Sequence, residues 1–192
     1  MRNPVLQIYD NVLTNPDEYR QKALEQPFNQ NEQYYKGYRS ATTFPLPQFH
    51  QFFEKALGRK IPEWNKYETN GRFHVTWSGM QKVFHSDPQQ FAAALYLSPE
   101  APLEGGTSLW SSVQTKLRRA PTPENPNVEQ LMTDTYHNKL LDQTAWQRCD
   151  TVGNVYNRLA LWDARYIHSV NEHFGHDLAT GRLVQLFFFD TE

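Results

Sequence analysis

The chain has 192 residues, with 19 basic and 21 acidic side chains for a net charge of −2 at neutral pH. This length suits one domain with a substantial core, and the near-neutral charge gives no electrostatic case for a nucleic-acid partner. No stretch approaches a transmembrane span, the amino terminus lacks the apolar core of a signal peptide, and the single Cys149 excludes an internal disulfide, so the expectation is a cytoplasmic protein in a reducing compartment.

Residues 5–9 read as an opening strand. A helix is predicted from Thr14-Asn-Pro-Asp17, where Pro falls near the first turn, to about Gln26, where Pro27 stops it. Residues 28–48 are polar, aromatic and punctuated by proline, which predicts an ordered loop. A second helix over 48–57 ends at Gly58. From residue 73 onward the pattern changes to short strands, predicted at 73–77, 82–87, 91–97, 107–111, 146–151, 156–162, 166–169 and 183–189. Eight short strands suit a double-sheet jelly roll of two four-stranded sheets. The fold expected is therefore mainly β, with residues 1–70 as a helical flank and loop and residues 71–192 as the core. Between about 112 and 150 the strands are interrupted by Pro121-Thr-Pro-Glu-Asn-Pro126 and a mostly polar stretch, an insertion of the kind that forms lids, binding loops or disordered segments.

Three places carry chemistry. His85-Ser86-Asp87 and the distant His168 offer two imidazoles and a carboxylate, the ligand set of a facial ferrous site that leaves three coordination positions open. A His-x-Asp pair alone is a weak signal, but on a strand residues two apart point to one face and could meet one ion. In the terminal run Gly181-Arg-Leu-Val-Gln-Leu-Phe-Phe-Phe-Asp190, alternation places Arg182 in a row with Val184, Leu186 and Phe188. A guanidinium heading an apolar row needs an anionic partner, either a protein carboxylate or a ligand carboxylate.

With these residues in this order the chain resembles the iron(II)- and 2-oxoglutarate-dependent dioxygenases, and residues 71–190 carry the resemblance. Ala94-Leu-Tyr-Leu-Ser98 followed by Glu104-Gly-Gly-Thr107 is similar to the strand and Gly-Gly-x-Thr turn of the prolyl-4-hydroxylase-like branch, except that here the threonine follows the glycines directly. Leu159-Ala-Leu-Trp-Asp163 before Tyr166-Ile-His-Ser169 is similar to the strand and turn that deliver the distal histidine. The resemblance implies the double-stranded β-helix fold, with His85, Asp87 and His168 as Fe(II) ligands and catalytic centre, and Arg182 on the distal carboxylate of 2-oxoglutarate. O2 would complete the cofactor set. Tyr96 matches a tyrosine that helps hold that carboxylate. Many members place Ser or Thr two residues after the basic residue, whereas this chain has Val184, so a second donor must come from elsewhere; Tyr96 and then Thr107 are the candidates. Asp87 favours hydroxylation over halogenation, because the family's halogenases lack that carboxylate.

Other residues receive plainer readings. His74 alternates with Phe73 and Val75 and reads as a sheet-face residue; His173 and His176 flank Phe174-Gly175 and read as exposed turn residues. Tyr34-Tyr-Lys-Gly-Tyr-Arg39 is either an aromatic loop packed on the core or a wall over the iron, with Arg39 and Tyr38 meeting substrate. Arg158 could be a pocket base or a surface ion pair. The leading expectation is a hydroxylase of a small metabolite, amino acid or peptidyl side chain that releases succinate and CO2. A cupin-like metal-binding jelly roll that uses no 2-oxoglutarate and a non-catalytic binding module are the alternatives. Substrate identity and oligomeric state stay open.

Overall fold

The computed structural model describes residues 5–30, 36–44 and 46–192; Tyr34 and Tyr35 of the aromatic cluster lie outside them. In chain order the elements are β1 (Leu6–Tyr9), α1 (Pro16–Leu24), β2 (Phe28–Gln30), β3 (Tyr38–Ser40), α2 (Pro47–Leu57), β4 (Arg72–Thr76), β5 (Phe91–Tyr96), β6 (Thr107–Ser112), α3 (Val128–Tyr136), β7 (Trp146–Val152), β8 (Leu159–Asp163), β9 (His168–Val170) and β10 (Arg182–Phe189). They form two antiparallel sheets, a major one in the order β1-β8-β5-β10-β4-β3-β2 and a minor one in the order β7-β6-β9. No helix among the described residues is long and apolar enough to cross a membrane.

The core is legible in β10, the strand at the centre of the major sheet. Leu183, Phe187 and Phe189 face the helices and pack with Phe73, Val75, Phe91 and Leu95 of the sheet, Tyr19 and Ala23 of α1, and Phe49 and Phe53 of α2. Val184 faces the other way, toward the minor sheet, with Tyr96, Ala94, Leu109 and Trp162. Each fully buried ring or branched chain contributes roughly 2 kcal/mol of transfer free energy. Helix α2 can cover the sheet because Phe49, Phe52 and Phe53 recur at i, i+3 and i+4, and Gly58 stops it in a left-handed conformation (φ 63°). Helix α1 starts at Pro16, and the Asn15 side chain makes no capping bond.

Three expectations are corrected and one is narrowed. The sheets divide seven to three rather than four to four, since β1 and the amino-terminal hairpin add to the major sheet and residues 82–87 give the minor one no strand. That hairpin is β2 and β3 (Phe28↔Ser40, Gln30↔Tyr38), inside the region read as loop; strands of three residues are too short to show a period. Residues 82–87 form no continuous strand but a single bridge, His85↔His168, which extends the minor sheet at its β9 edge. The 112–150 stretch is ordered, with α3 near its middle and β6 and β7 paired at its ends.

The Gly105-Gly106 turn before β6 admits no larger residue. A Cβ on Gly106 would lie 1.8 Å from the Val152 carbonyl oxygen, and one on Gly105 2.4 Å from the Phe174 ring. Because the obstacle at Gly106 is backbone, Gly106→Ala should destabilise the fold by at least about 3 kcal/mol, read as a lower midpoint in urea unfolding; an unchanged midpoint would show that the turn can shift.

Candidate metal centre

His85 and His168 sit directly opposite each other and exchange both backbone hydrogen bonds, His85 N–H to the His168 carbonyl at 3.1 Å and His168 N–H to the His85 carbonyl at 2.7 Å. Their rings therefore leave the same face, with centroids 4.4 Å apart. Asp87 is anchored by its N–H to the Ala164 carbonyl at 2.9 Å. His85 Nδ1 donates to the Val83 carbonyl (3.1 Å) and His168 Nδ1 to the Tyr166 carbonyl (2.8 Å). Both Nδ1 protons are thus engaged, and both Nε2 atoms point to the common centre.

One ligand atom from each of His85, Asp87 and His168 can be chosen so that all lie within 4.8 Å of one another. Asp87 Oδ1 lies 3.6 Å from His85 Nε2, and Oδ2 lies 3.2 Å from His168 Nε2. Oδ2 is buried with no hydrogen-bond partner of acceptable geometry, a costly state for a carboxylate oxygen. Two imidazole nitrogens and one carboxylate around an under-coordinated oxygen fit a first-row divalent ion such as Fe(II). Burial alone would raise the Asp87 carboxyl, but the His168 and His85 rings outweigh it and hold it below the usual range. Burial works against protonation of His168, yet Asp87 raises it; burial and then His168 push His85 down. The edge of Trp162 packs on His168 at 5.2 Å.

Arg182, Tyr96 and Thr107 come together on the same interior. Arg182 is 6% exposed; its Nε donates to the Gly105 carbonyl (2.6 Å) and its Nη2 to Thr107 Oγ1 (3.2 Å). Tyr96 OH also donates to Thr107 Oγ1, at 2.9 Å, and the guanidinium stands 5.5 Å from the Tyr96 ring centre. No carboxylate of the described residues is within ion-pair distance of Arg182, and burial pushes its pKa down. Thr107 and Leu109 share one face of β6, and Leu109 is the register partner of His168, so the two clusters lie on one wall.

Arg39 and Tyr38 part company. Arg39 pairs in register with His74, and its charge contributes to the depressed pKa of His74 and His85 and to that of Asp87. Tyr38 turns to the opposite face, stacks on Trp77 at 4.7 Å and packs on the helix-side core. Arg158 forms a two-bond ion pair with Asp10. His74 and His173 belong to the interior more than the sequence suggested. His74 Nε2 donates to the Lys36 carbonyl (2.6 Å), and His173 Nδ1 lies 2.8 Å from Thr76 Oγ1, on the residue paired with Arg182. The signal for His74 was present, since alternation with core residues Phe73 and Val75 aims it inward; His173 sits in a turn and gave none.

Burial and then Arg39 push His74 down to about 3, while burial and then Arg182 push His173 to about 4, from an ordinary 6.5. The unfolded chain therefore binds more protons than the folded one between pH 6.5 and those values. The stability these neutral rings confer is fully present above 6.5 and is lost on acidification, at up to about 1.4 kcal/mol per pH unit for each ring. His74→Gln, which keeps a donor for the Lys36 carbonyl, should flatten this loss in urea midpoints compared between about pH 7 and pH 5. An identical slope in the variant would exclude His74 as a source.

No curated protein matches the chain. HygX from Streptomyces hygroscopicus, with nickel and 2-oxoglutarate bound, is similar in structure with a TM-score of 0.58 at 12% identity, over 94% of this chain and 80% of HygX. A second HygX structure, with nickel, 2-oxoglutarate and hygromycin B bound, gives 0.55 at 11% identity over the same shares, 94% and 80%. A prolyl hydroxylase from Trichoplax adhaerens, in complex with a hypoxia inducible factor oxygen degradation domain peptide fragment, gives 0.50 at 13% identity over 96% and 83%. The fold is the jelly roll shared with HygX and with this prolyl hydroxylase. Residues 1–189 match the family of unknown function DUF6445, and the chain belongs to that family.

Proposed function

We propose that this protein is an iron(II)- and 2-oxoglutarate-dependent oxygenase that hydroxylates a small metabolite, an amino acid or a peptidyl side chain in the cytoplasm, with release of succinate and CO2. The observation that carries the reading is Arg182, a buried cation without a carboxylate partner among the described residues, on one interior with the His85, Asp87 and His168 set. Such a charge costs several kcal/mol unless an anion meets it. A dicarboxylate that reaches from the ion to the guanidinium would meet it.

When bound, ferrous iron with 2-oxoglutarate and O2 supplies the oxidising chemistry. His85 and His168 would present Nε2 and Asp87 an oxygen to the ion, with room left beside it for co-substrates. Arg182 orients the distal carboxylate of 2-oxoglutarate. Thr107 is the second donor that Val184 cannot be: its oxygen already accepts from Tyr96 and Arg182, so its own proton is left for the ligand. Tyr96 fixes Thr107 and covers one side of the guanidinium. Arg39 adds a second positive charge felt at Asp87 and is the group to meet an acidic function on the substrate. HygX holds hygromycin B together with 2-oxoglutarate, and the prolyl hydroxylase holds a peptide, so ligands of both sizes fit this architecture.

The test is an anaerobic titration of the apoprotein with ferrous iron and 2-oxoglutarate, watching for the visible charge-transfer band of the chelate. The band is expected. Iron binding without it would move the cupin-like reading ahead, and no iron binding would make the three-residue set a coincidence.

A further inference from the structure

The ligand-bearing segment 84–87 has no strand of its own, and the ordered excursion between β6 and β7 supplies two hydrogen bonds that hold it, beside ring contacts from β6 and the start of β7. The Phe84 N–H donates to the Leu140 carbonyl at 2.8 Å. The Phe84 ring lies parallel to Trp146 at 5.7 Å and meets the edge of Trp110 at 5.0 Å. Ser86, between the two ligands, has its hydroxyl 2.8 Å from the Tyr136 hydroxyl at the end of α3. Tyr136 packs on Trp146 at 5.9 Å, and Trp146 Nε1 donates to the Lys139 carbonyl. Within the excursion the Thr115 and Thr135 hydroxyls pair and Lys139 Nζ donates to Gln114 Oε1, which ties α3 and the turn after it to the stretch that leaves β6. Phe84, Trp110, Trp146 and Ile167, with Tyr136 against them, form a small core of their own on the far side of the minor sheet.

We propose that the excursion is a strap that positions the metal ligands, and that Tyr136 is its positioning residue, acting through Ser86 on His85 and Asp87. Without the strap, the segment would keep the bridge to His168, the Asp87 bond to Ala164 and the Phe84 ring contacts with β6 and β7, none of which holds Ser86 between the two ligands. A hydroxyl pair adjoining the ligands sets their direction much as partners of directly bound residues do in metal sites, where losing one typically costs 10–100-fold in affinity. The functional meaning rests on the proposed iron site, while the mechanical claim does not need the metal.

Tyr136→Phe removes the hydroxyl and keeps the ring; Ser86→Ala removes the other half of the pair. In the apoprotein, amide hydrogen exchange over residues 84–87 should be roughly three- to tenfold faster in either variant, and no faster in the double variant, while strand β5 keeps its protection. Ferrous or cobaltous ion should bind about 10–100-fold more weakly to both variants. Unchanged exchange over 84–87, or an equal acceleration in β5 that reports only a global loss, would overturn the proposal. If the natural protein binds no iron, the oxygenase reading falls, and the exchange result still decides whether the strap positions this segment.

Discussion

Asp87→Ala abolishes 2-oxoglutarate-dependent succinate release and weakens binding of ferrous ion by more than about 100-fold, since even an outer partner of a ligand is worth 10–100-fold. Asp87 is the only carboxylate in the set, and one of its oxygens is buried with no hydrogen-bond partner. Removing it takes away an anionic ligand and the anion that raises His168. In the metal-free protein the result should be a His168 with a lower pKa, because burial, the largest influence on it, is then opposed only by the Tyr166 carbonyl. The two readouts are iron affinity by calorimetry and the His168 titration by NMR. A fully active variant would sink the assignment of the site, whatever the titration shows.

How far the sequence alone reaches depends on how local the determinant is. Arg182, Tyr96 and Thr107 meet because each lies on a regular strand or at its start, where alternation fixes the face. The same rule separates Arg39 from Tyr38, adjacent residues on β3 that face opposite ways; both were candidates for substrate contact because the residues before them showed no period from which to choose a face. For His85 and Asp87 the expected convergence holds while its expected cause does not. Their direction comes from one reciprocal bridge to His168, a bond to Ala164 and the strap, all of them contacts with residues remote in sequence. A polar, proline-punctuated stretch carries no signal that Tyr136 and Leu140 will reach back to residues 84–86. His173 is in the same position: its partner Thr76 is 97 residues away, and a turn gives no period to argue from.

Arg182→Met should uncouple stability from co-substrate binding. The buried guanidinium makes two hydrogen bonds, and both acceptors keep other donors when it is lost: the Gly105 carbonyl retains Asn154 Nδ2 at 3.1 Å, and Thr107 Oγ1 retains Tyr96 OH at 2.9 Å. Replacing a buried, unpaired charge by an apolar chain of similar length is then neutral or stabilising, as when buried ion pairs give way to packed hydrophobic residues. The melting temperature is expected to stay level or rise. Binding of 2-oxoglutarate should weaken by roughly 30- to 1000-fold, the worth of about 2–4 kcal/mol for a desolvated charge-assisted contact, while ferrous ion alone binds as before. The opposite pattern, a destabilised variant with undiminished 2-oxoglutarate affinity, would make Arg182 a structural residue and leave the metal centre without its co-substrate. The expected pattern would explain why the fold tolerates a lone cation in its interior: its partner arrives with the ligand.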